Sequence, residues 1–132
     1  MRPPAPGIDG VSRFFAIRWD SPTVTRMTIR PDLINAGGML SGVATYALVD
    51  YTMGSTLWAE TGEDEAIATL NIAINYVATA TEGDAVCTTV LDRRNRRAAT
   101  LRSEVHDENG RLMATAIGSY SIFPRKRAQP SG

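Results

Sequence analysis

The chain has 132 residues, 14 basic against 14 acidic, and 43% hydrophobic content. That length supports one domain around one core, and the balanced charge, with no basic–aromatic stripe, argues against nucleic acid or a membrane surface as a partner. Cys87 and His106 are the single cysteine and the single histidine, which excludes an internal disulfide and a histidine-rich metal site within one chain.

Residues 1–12 carry three prolines and two glycines and read as a loose lead-in. They hold no leading apolar run of the secretory kind, and together with the lone cysteine this points to a reducing, cytoplasmic setting. Phe14–Trp19 reads as a first strand. Ser21, Pro22 and Thr23 make a turn, Val24–Ile29 a second strand, and Pro31 with Asp32 ends it. Asn35–Gly38 is a flexible loop, and Ser41 suits the N-cap of a helix running from Gly42 to about Ala59.

That helix organises the rest. Between Leu33 and Ala59 the one charged residue is Asp50. Apolar residues such as Val43, Tyr46, Leu48, Met53 and Trp58 fall on every side of the helical wheel, so burial all round is expected. A lone carboxylate there must be paired, hydrogen-bonded or used chemically. Asp50, two glycines and several hydroxyl residues argue against Met39–Ala59 as a membrane span.

Past a polar turn at Glu60–Glu65, the alternation of Ala66, Ala68, Leu70, Ile72, Ile74 and Tyr76 marks a strand with these residues toward the helix. Ile67, Thr69, Asn71, Ala73 and Asn75 then face the other way. Glu82–Asp84 is a turn. Val86–Leu91 is a strand that runs into the basic cluster at residues 92–97. Ala98–His106 is another strand, Asp107–Gly110 a hairpin turn in which Asn-Gly supplies positive φ, and Leu112–Phe123 the last strand before Pro124. The expectation is an α+β domain spanning the chain. Its ordered core covers about 13–123, a curved antiparallel sheet around one helix, and residues 124–132 form a basic tail.

At these residues the sequence resembles the hotdog-fold acyl-CoA thioesterases, in their PaaI-like branch. The family pattern is an asparagine, a loop ending in His-Gly-Gly, and a helix with Leu-x-Asp nine residues after the histidine. Asn35 matches the asparagine, Ser41 takes the histidine position, Gly42 and Val43 the two glycines, and Asp50 the aspartate. Asn71–Tyr76 resembles the family's central strand, Glu82–Asp84 its Gly-Asp turn, and Asp107–Gly110 with Ala114 its last hairpin. The likeness covers roughly residues 20–123, with Ser-Gly where the family has His-Gly-Gly. It implies thioester hydrolysis, coenzyme A as part of the substrate with no separate cofactor, and a homodimer that stacks as a dimer of dimers. It also implies two sites at the dimer seam.

The chemistry needs a polarised carbonyl and an activated water or a nucleophile. Free N–H groups at the helix start, Gly42, offer an oxyanion site, with Asp50 as general base or nucleophile. The two lie eight residues apart, about 12 Å along one helix. They serve one carbonyl only if they come from different subunits. By the resemblance, Asn35 holds the loop or the thioester, and Thr69 helps place the water. Thr69 lies on the outward face of its strand in the alternation above, so it reaches the site only if that strand is at the seam. Ser41 either donates to substrate or only caps the helix. Arg93, Arg94, Arg96 and Arg97 either hold the phosphates of coenzyme A or form a solvated turn. Asp50, Asn35 and Thr69 each also have a purely structural reading. Cys87 reads as a small core residue and His106 as exposed. The alternatives to a thioesterase are a non-catalytic acyl-CoA-binding protein, which Ser41 favours, and a hotdog dehydratase, which the missing histidine disfavours.

Overall fold

The computed structural model describes residues 8–125. The elements run α1 (Gly10–Phe14), β1 (Arg18–Ser21), β2 (Val24–Thr28), a 3-10 turn (Pro31–Leu33), α2 (Gly42–Trp58), β3 (Glu65–Tyr76), β4 (Asp84–Arg94), β5 (Ala98–His106) and β6 (Leu112–Pro124). The strands form one antiparallel sheet in the order β1-β2-β4-β5-β6-β3. The sheet curves around α2, which packs on it across β2 to β6. This is a hotdog fold. Among the described residues, no helix is long and apolar enough to cross a membrane.

Helix and sheet meet through Leu48, Val49, Met53 and Leu57 on one side and Met27, Cys87, Leu101, Val105 and Tyr120 on the other. Gly118 of β6 makes room for the helix, since a Cβ there would sit 2.5 Å from Met53 Sδ. Beneath α2 the core is not wholly apolar. Thr25 and Thr52 share a hydrogen bond of 2.6 Å, and Thr89 and Ser103 one of 2.7 Å. Cys87 lies among them, fully buried, and burial raises its thiol pKa. A core cysteine is therefore borne out, and the surrounding hydroxyls satisfy one another as buried polar groups must.

Four local expectations need correction. Phe14–Trp19 is not one strand. Asp9 caps a helical turn over Gly10–Phe14, accepting the Ser12 N–H at 2.8 Å, and the strand starts only at Arg18. β4 continues through the first arginines to Arg94, because its pairing with β5 persists past a bulge between Leu91 and Arg93. At the β5–β6 hairpin only Gly110 has positive φ (84°), while the Asp107 carboxylate accepts the N–H groups of Asn109 and Arg111. Finally, α2 is not buried all round. Val43 is 70% and Tyr46 40% exposed, on a stripe that also carries Asp50, Gly54 and Trp58. The lead-in over residues 1–7 and the tail over 126–132 lie outside the described residues.

Candidate active site

Asp50 sits on that open stripe, in the third turn of α2, with its side chain half-buried. Its Oδ1 accepts two hydrogen bonds, from the Thr69 hydroxyl at 2.8 Å and from the Tyr120 hydroxyl at 2.5 Å. The Tyr120 hydroxyl also reaches the Asp50 backbone carbonyl at 2.9 Å. Among the described residues, nothing donates to Oδ2.

Two features of the sheet bring both donors to one oxygen. In the β3–β6 register Thr69 lies opposite Tyr120, so they are cross-strand neighbours. The register then shifts between Thr69 and Asn71. An extra residue in one strand reverses which alternate positions face inward. Ile67 and Thr69 therefore face the helix before the bulge, and Ile72 and Ile74 face it afterwards. All three isoleucines pack on the core, while Leu70 is 64% exposed. The strict alternation read from the sequence is corrected here, and with it the outward placing of Thr69. Tyr120 is 2% exposed. Burial, then the nearby Asp50 carboxylate, push its pKa well above the ordinary tyrosine value, so it remains a hydrogen-bond donor at any ordinary pH. The sequence reading passed over Tyr120. The signal was available: it is the one large polar side chain on a face of β6 otherwise made of Ala114, Ala116, Gly118 and Ile122.

The start of α2 forms a separate group. The Ser41 side chain accepts the Val43 N–H at 3.2 Å and so acts as the helix N-cap. Gly42 N–H has no acceptor among the described residues. The Tyr76 hydroxyl donates to the Gly42 carbonyl at 2.8 Å, and a Cβ on Gly42 would lie 3.0 Å from that hydroxyl. Asn35 folds the preceding loop: its side-chain oxygen accepts from Gly37 N–H at 2.9 Å and Met39 N–H at 3.2 Å. Gly38 turns the chain with a φ of 78°. Asn35, Met39, Gly42, Tyr76 and Val77 line a cavity of about 370 Å³. A second cavity, of about 470 Å³, lies beside Asp50 against Tyr51, Gly54, Trp58 and Ile67. Eight helical residues separate Gly42 from Asp50, about 12 Å.

The structure thus brings Asp50 and Thr69 together, and places Asn35, Ser41 and Gly42 together at another point of the same helix. The arginines divide. Arg94 is committed to the fold, donating to the Glu60 carbonyl at 2.7 Å and to Glu65 Oε2 at 2.8 Å. The Gly62 N–H, then Arg94, hold the Glu65 carboxyl below its usual range. Arg96 and Arg97 line a surface cavity with Asp64 and Phe123, and Arg93 is exposed on β4. Among the described residues, no group of three or more His, Cys, Asp or Glu side chains is placed to hold a metal ion.

Comparison with known proteins agrees with this fold. Residues 37–114 match the sequence model of the thioesterase superfamily. No curated protein matches the sequence. Among solved structures, a Bacillus halodurans protein crystallised with CoA is 19% identical, with 86% of this chain and 75% of that one aligned at a TM-score of 0.81. A mutant thioesterase of Pseudomonas aeruginosa is 13% identical over 90% of this chain and 89% of that one, at 0.83. A Haemophilus influenzae thioesterase is 15% identical over 89% and 85%, at 0.79. At such identities the likeness is one of fold.

Proposed function

The chain belongs to the thioesterase superfamily, and from that premise we propose that it hydrolyses an acyl-CoA or closely related thioester, with Asp50 as general base. The observation that carries this reading is the fixing of Asp50. Two donors occupy Oδ1 and leave Oδ2 open beside a largely apolar cavity. A carboxylate held this way accepts a proton from a water in one direction only, which is the geometric demand of general-base catalysis.

The step balances simply. Water gives a proton to Asp50 Oδ2 while its oxygen bonds to the thioester carbon. The carbonyl π electrons move onto oxygen, where the Gly42 N–H and the positive end of α2 stabilise them. Collapse re-forms the carbonyl and expels the thiolate of coenzyme A, which takes the proton back from Asp50 Oδ2, leaving free acid, thiol and the carboxylate restored. Gly42 cannot reach a carbonyl at Asp50 of its own helix, so the oxyanion donor comes from a second copy. Three observations support that pairing. β3 is a 12-residue edge strand, exposed at many positions on both faces, and long uncovered edges recruit partners. The helix stripe beside it exposes Val43 and Tyr46. Thr69 and Asp50 lie where edge and stripe meet.

In this reading Asn35 shapes the loop that receives the thioester, Ser41 caps the helix, and Arg93, Arg96 and Arg97 hold coenzyme A phosphates. Coenzyme A enters as part of the substrate, with no separate cofactor. The Ser41-Gly42 start is read as that of a PaaI-like branch with serine at the histidine position. The assembly is a homodimer, stacked as a dimer of dimers, and works in the cytoplasm, where the buried Cys87 thiol stays reduced.

Thiol release from a panel of acyl-CoA esters, measured for wild type and Asp50→Asn side by side, tests the proposal. It predicts turnover that collapses in the variant while fold and dimer persist. Undiminished turnover in Asp50→Asn would end the assignment. Binding of the esters by wild type without any thiol release would make this an acyl-CoA-binding protein instead, the reading that serine in place of histidine favours.

A further inference from the structure

We infer that Ile8 and Asp9, the residues that lead into α1, form a wall of the acyl site, and that the chamber they help enclose selects uncharged, hydrophobic acyl groups. This rests on Asp50 being the reacting group, because the chamber is identified by opening beside it.

Asp9 does two things at once. Its Oδ1 caps α1 through Ser12, and its Oδ2 accepts the Tyr51 hydroxyl at 2.6 Å. Tyr51 is the residue after Asp50 on α2, so the bond fastens the N-terminal segment across the helix next to the site. The Trp19 ring of β1 packs edge-on against Tyr51, centroids 6.3 Å apart, and holds the tyrosine from the other side. The Ser12 N–H, then Tyr51, keep the Asp9 carboxyl below its ordinary range, and burial, then Asp9, raise Tyr51 to about 12. The fastening is thus an anion held by a neutral phenol throughout the working pH range.

Fastened there, Ile8 closes one side of the chamber of about 470 Å³. Tyr51, Gly54, Trp58 and Ile67 bound the rest, and Asp50 with Tyr120 stands at its polar end. The volume falls within the ~300–1,000 Å³ of small-molecule sites. Gly54 sets its depth: a Cβ there meets nothing within 4 Å, so the space above this helical position is open. Among the described residues, the charges lining the chamber are Asp9 and Asp50, and no Lys, Arg or His lines it. Arg125 stands 6.0 Å over the Trp58 ring without lining the chamber. An acyl tail ending in a second carboxylate would be placed beside two anions with no counter-ion among the described lining residues, which rejects it. A neutral alkyl or aryl tail buries apolar surface at no such cost.

Non-hydrolysable coenzyme A thioethers separate this from the catalytic assignment, because they bind whether or not Asp50 is the base. Calorimetry on the full-length protein would compare S-ethyl, S-butyl, S-hexyl and S-octyl coenzyme A with S-(3-carboxypropyl) coenzyme A. Affinity is expected to rise about fourfold per methylene until the chamber is full, and the carboxylated ligand to bind at least about tenfold more weakly than S-butyl. Gly54→Leu should flatten the rise with chain length, and Gly54→Ala should flatten it partly. Both raise helix propensity, and a melt confirms that they fold. Tyr51→Phe, which unfastens Asp9, should carry the rise on to longer chains. The inference falls if Gly54→Leu keeps the wild-type length dependence, if the carboxylated thioether binds as tightly as S-butyl, or if no thioether binds. Thiol release that survives Asp50→Asn, alongside an intact length dependence, would instead remove Asp50 from the chemistry and leave the chamber in place.

Discussion

Replacing Tyr120 by phenylalanine removes one oxygen from a fully packed position, and the structure says what that oxygen does. Its single O–H is shared between Asp50 Oδ1 at 2.5 Å and the Asp50 carbonyl at 2.9 Å. A hydrogen bond to a charged acceptor contributes about 1.5–3 kcal/mol and a neutral one about 1 kcal/mol. Part of this appears as stability, a fall in melting temperature of about 3–8 °C for a chain of this size. The rest appears in catalysis. With only Thr69 on Oδ1 the carboxylate swings, and a misplacement on the order of 1 Å costs up to about 100-fold. We therefore expect kcat to drop about 10- to 100-fold with KM little changed, because the phenol touches Asp50 and not the substrate. Thr69→Ala should show the same signature more weakly, and the double variant should fall short of the product of the two, as both act on one oxygen. Thiol release followed from about pH 5 to about pH 9 reads all of these effects. A Tyr120→Phe protein that melts early yet keeps kcat within about twofold would show that Tyr120 only packs.

Four other consequences can be measured. Gly118→Ala puts a Cβ 2.5 Å from Met53 Sδ, and Met53 is fully buried, so a denaturant melt should show a loss of about 1–3 kcal/mol. The Asp9–Tyr51 bond fixes a pH window. Tyr51, raised to about 12, contributes fully below the ordinary tyrosine value near 10 and loses its contribution as pH climbs toward 12. Asp9, lowered, contributes above its ordinary value near 4 and loses its contribution as pH falls further. Tyr51→Phe should therefore lower the melting temperature at neutral pH and flatten the alkaline decline, read by melts at successive pH values. Arg94→Ala breaks a half-exposed pair with Glu65 and should weaken the fold by ~1 kcal/mol or less with little change in KM. Arg96→Ala combined with Arg97→Ala should raise KM for coenzyme A esters and reduce its dependence on salt.

Much of this molecule was legible in the sequence because its signals are local. The boundaries of α2 follow from Ser41 as N-cap and the polar run after Ala59, and β5 and β6 from plain alternation. What escaped depends on contacts between distant residues. The bulge after Thr69 carries no glycine or proline to announce it, and only pairing with β6 shows it. That one extra residue decides whether Thr69 faces solvent or Asp50. The α1 cap at Asp9 is a sequence-local motif, but its meaning depends on Tyr51, 42 residues away. The apolar outer stripe of α2 made the helix look buried on all sides. In a single copy Val43 and Tyr46 stand exposed, so composition recorded a surface that a lone chain leaves open.

The shared site is the centre of the account, and subunit complementation tests it most directly. Gly42→Pro removes the proposed oxyanion N–H at the first helical position, where proline's backbone is well tolerated; its Cβ, 3.0 Å from the Tyr76 hydroxyl, requires that side chain to shift slightly, and Ser41 before it already has φ −56° and ψ 132°, which suits a residue preceding proline. Asp50→Asn removes the base. Each variant alone should be nearly inactive. After the two are mixed and allowed to exchange subunits, a mixed dimer contains one site with both groups intact. Activity should then return to about a quarter of the wild-type level for random pairing of a two-fold dimer. Mixed dimers that form yet stay as inactive as their parents would contradict a site built from Gly42 of one copy and Asp50 of the other.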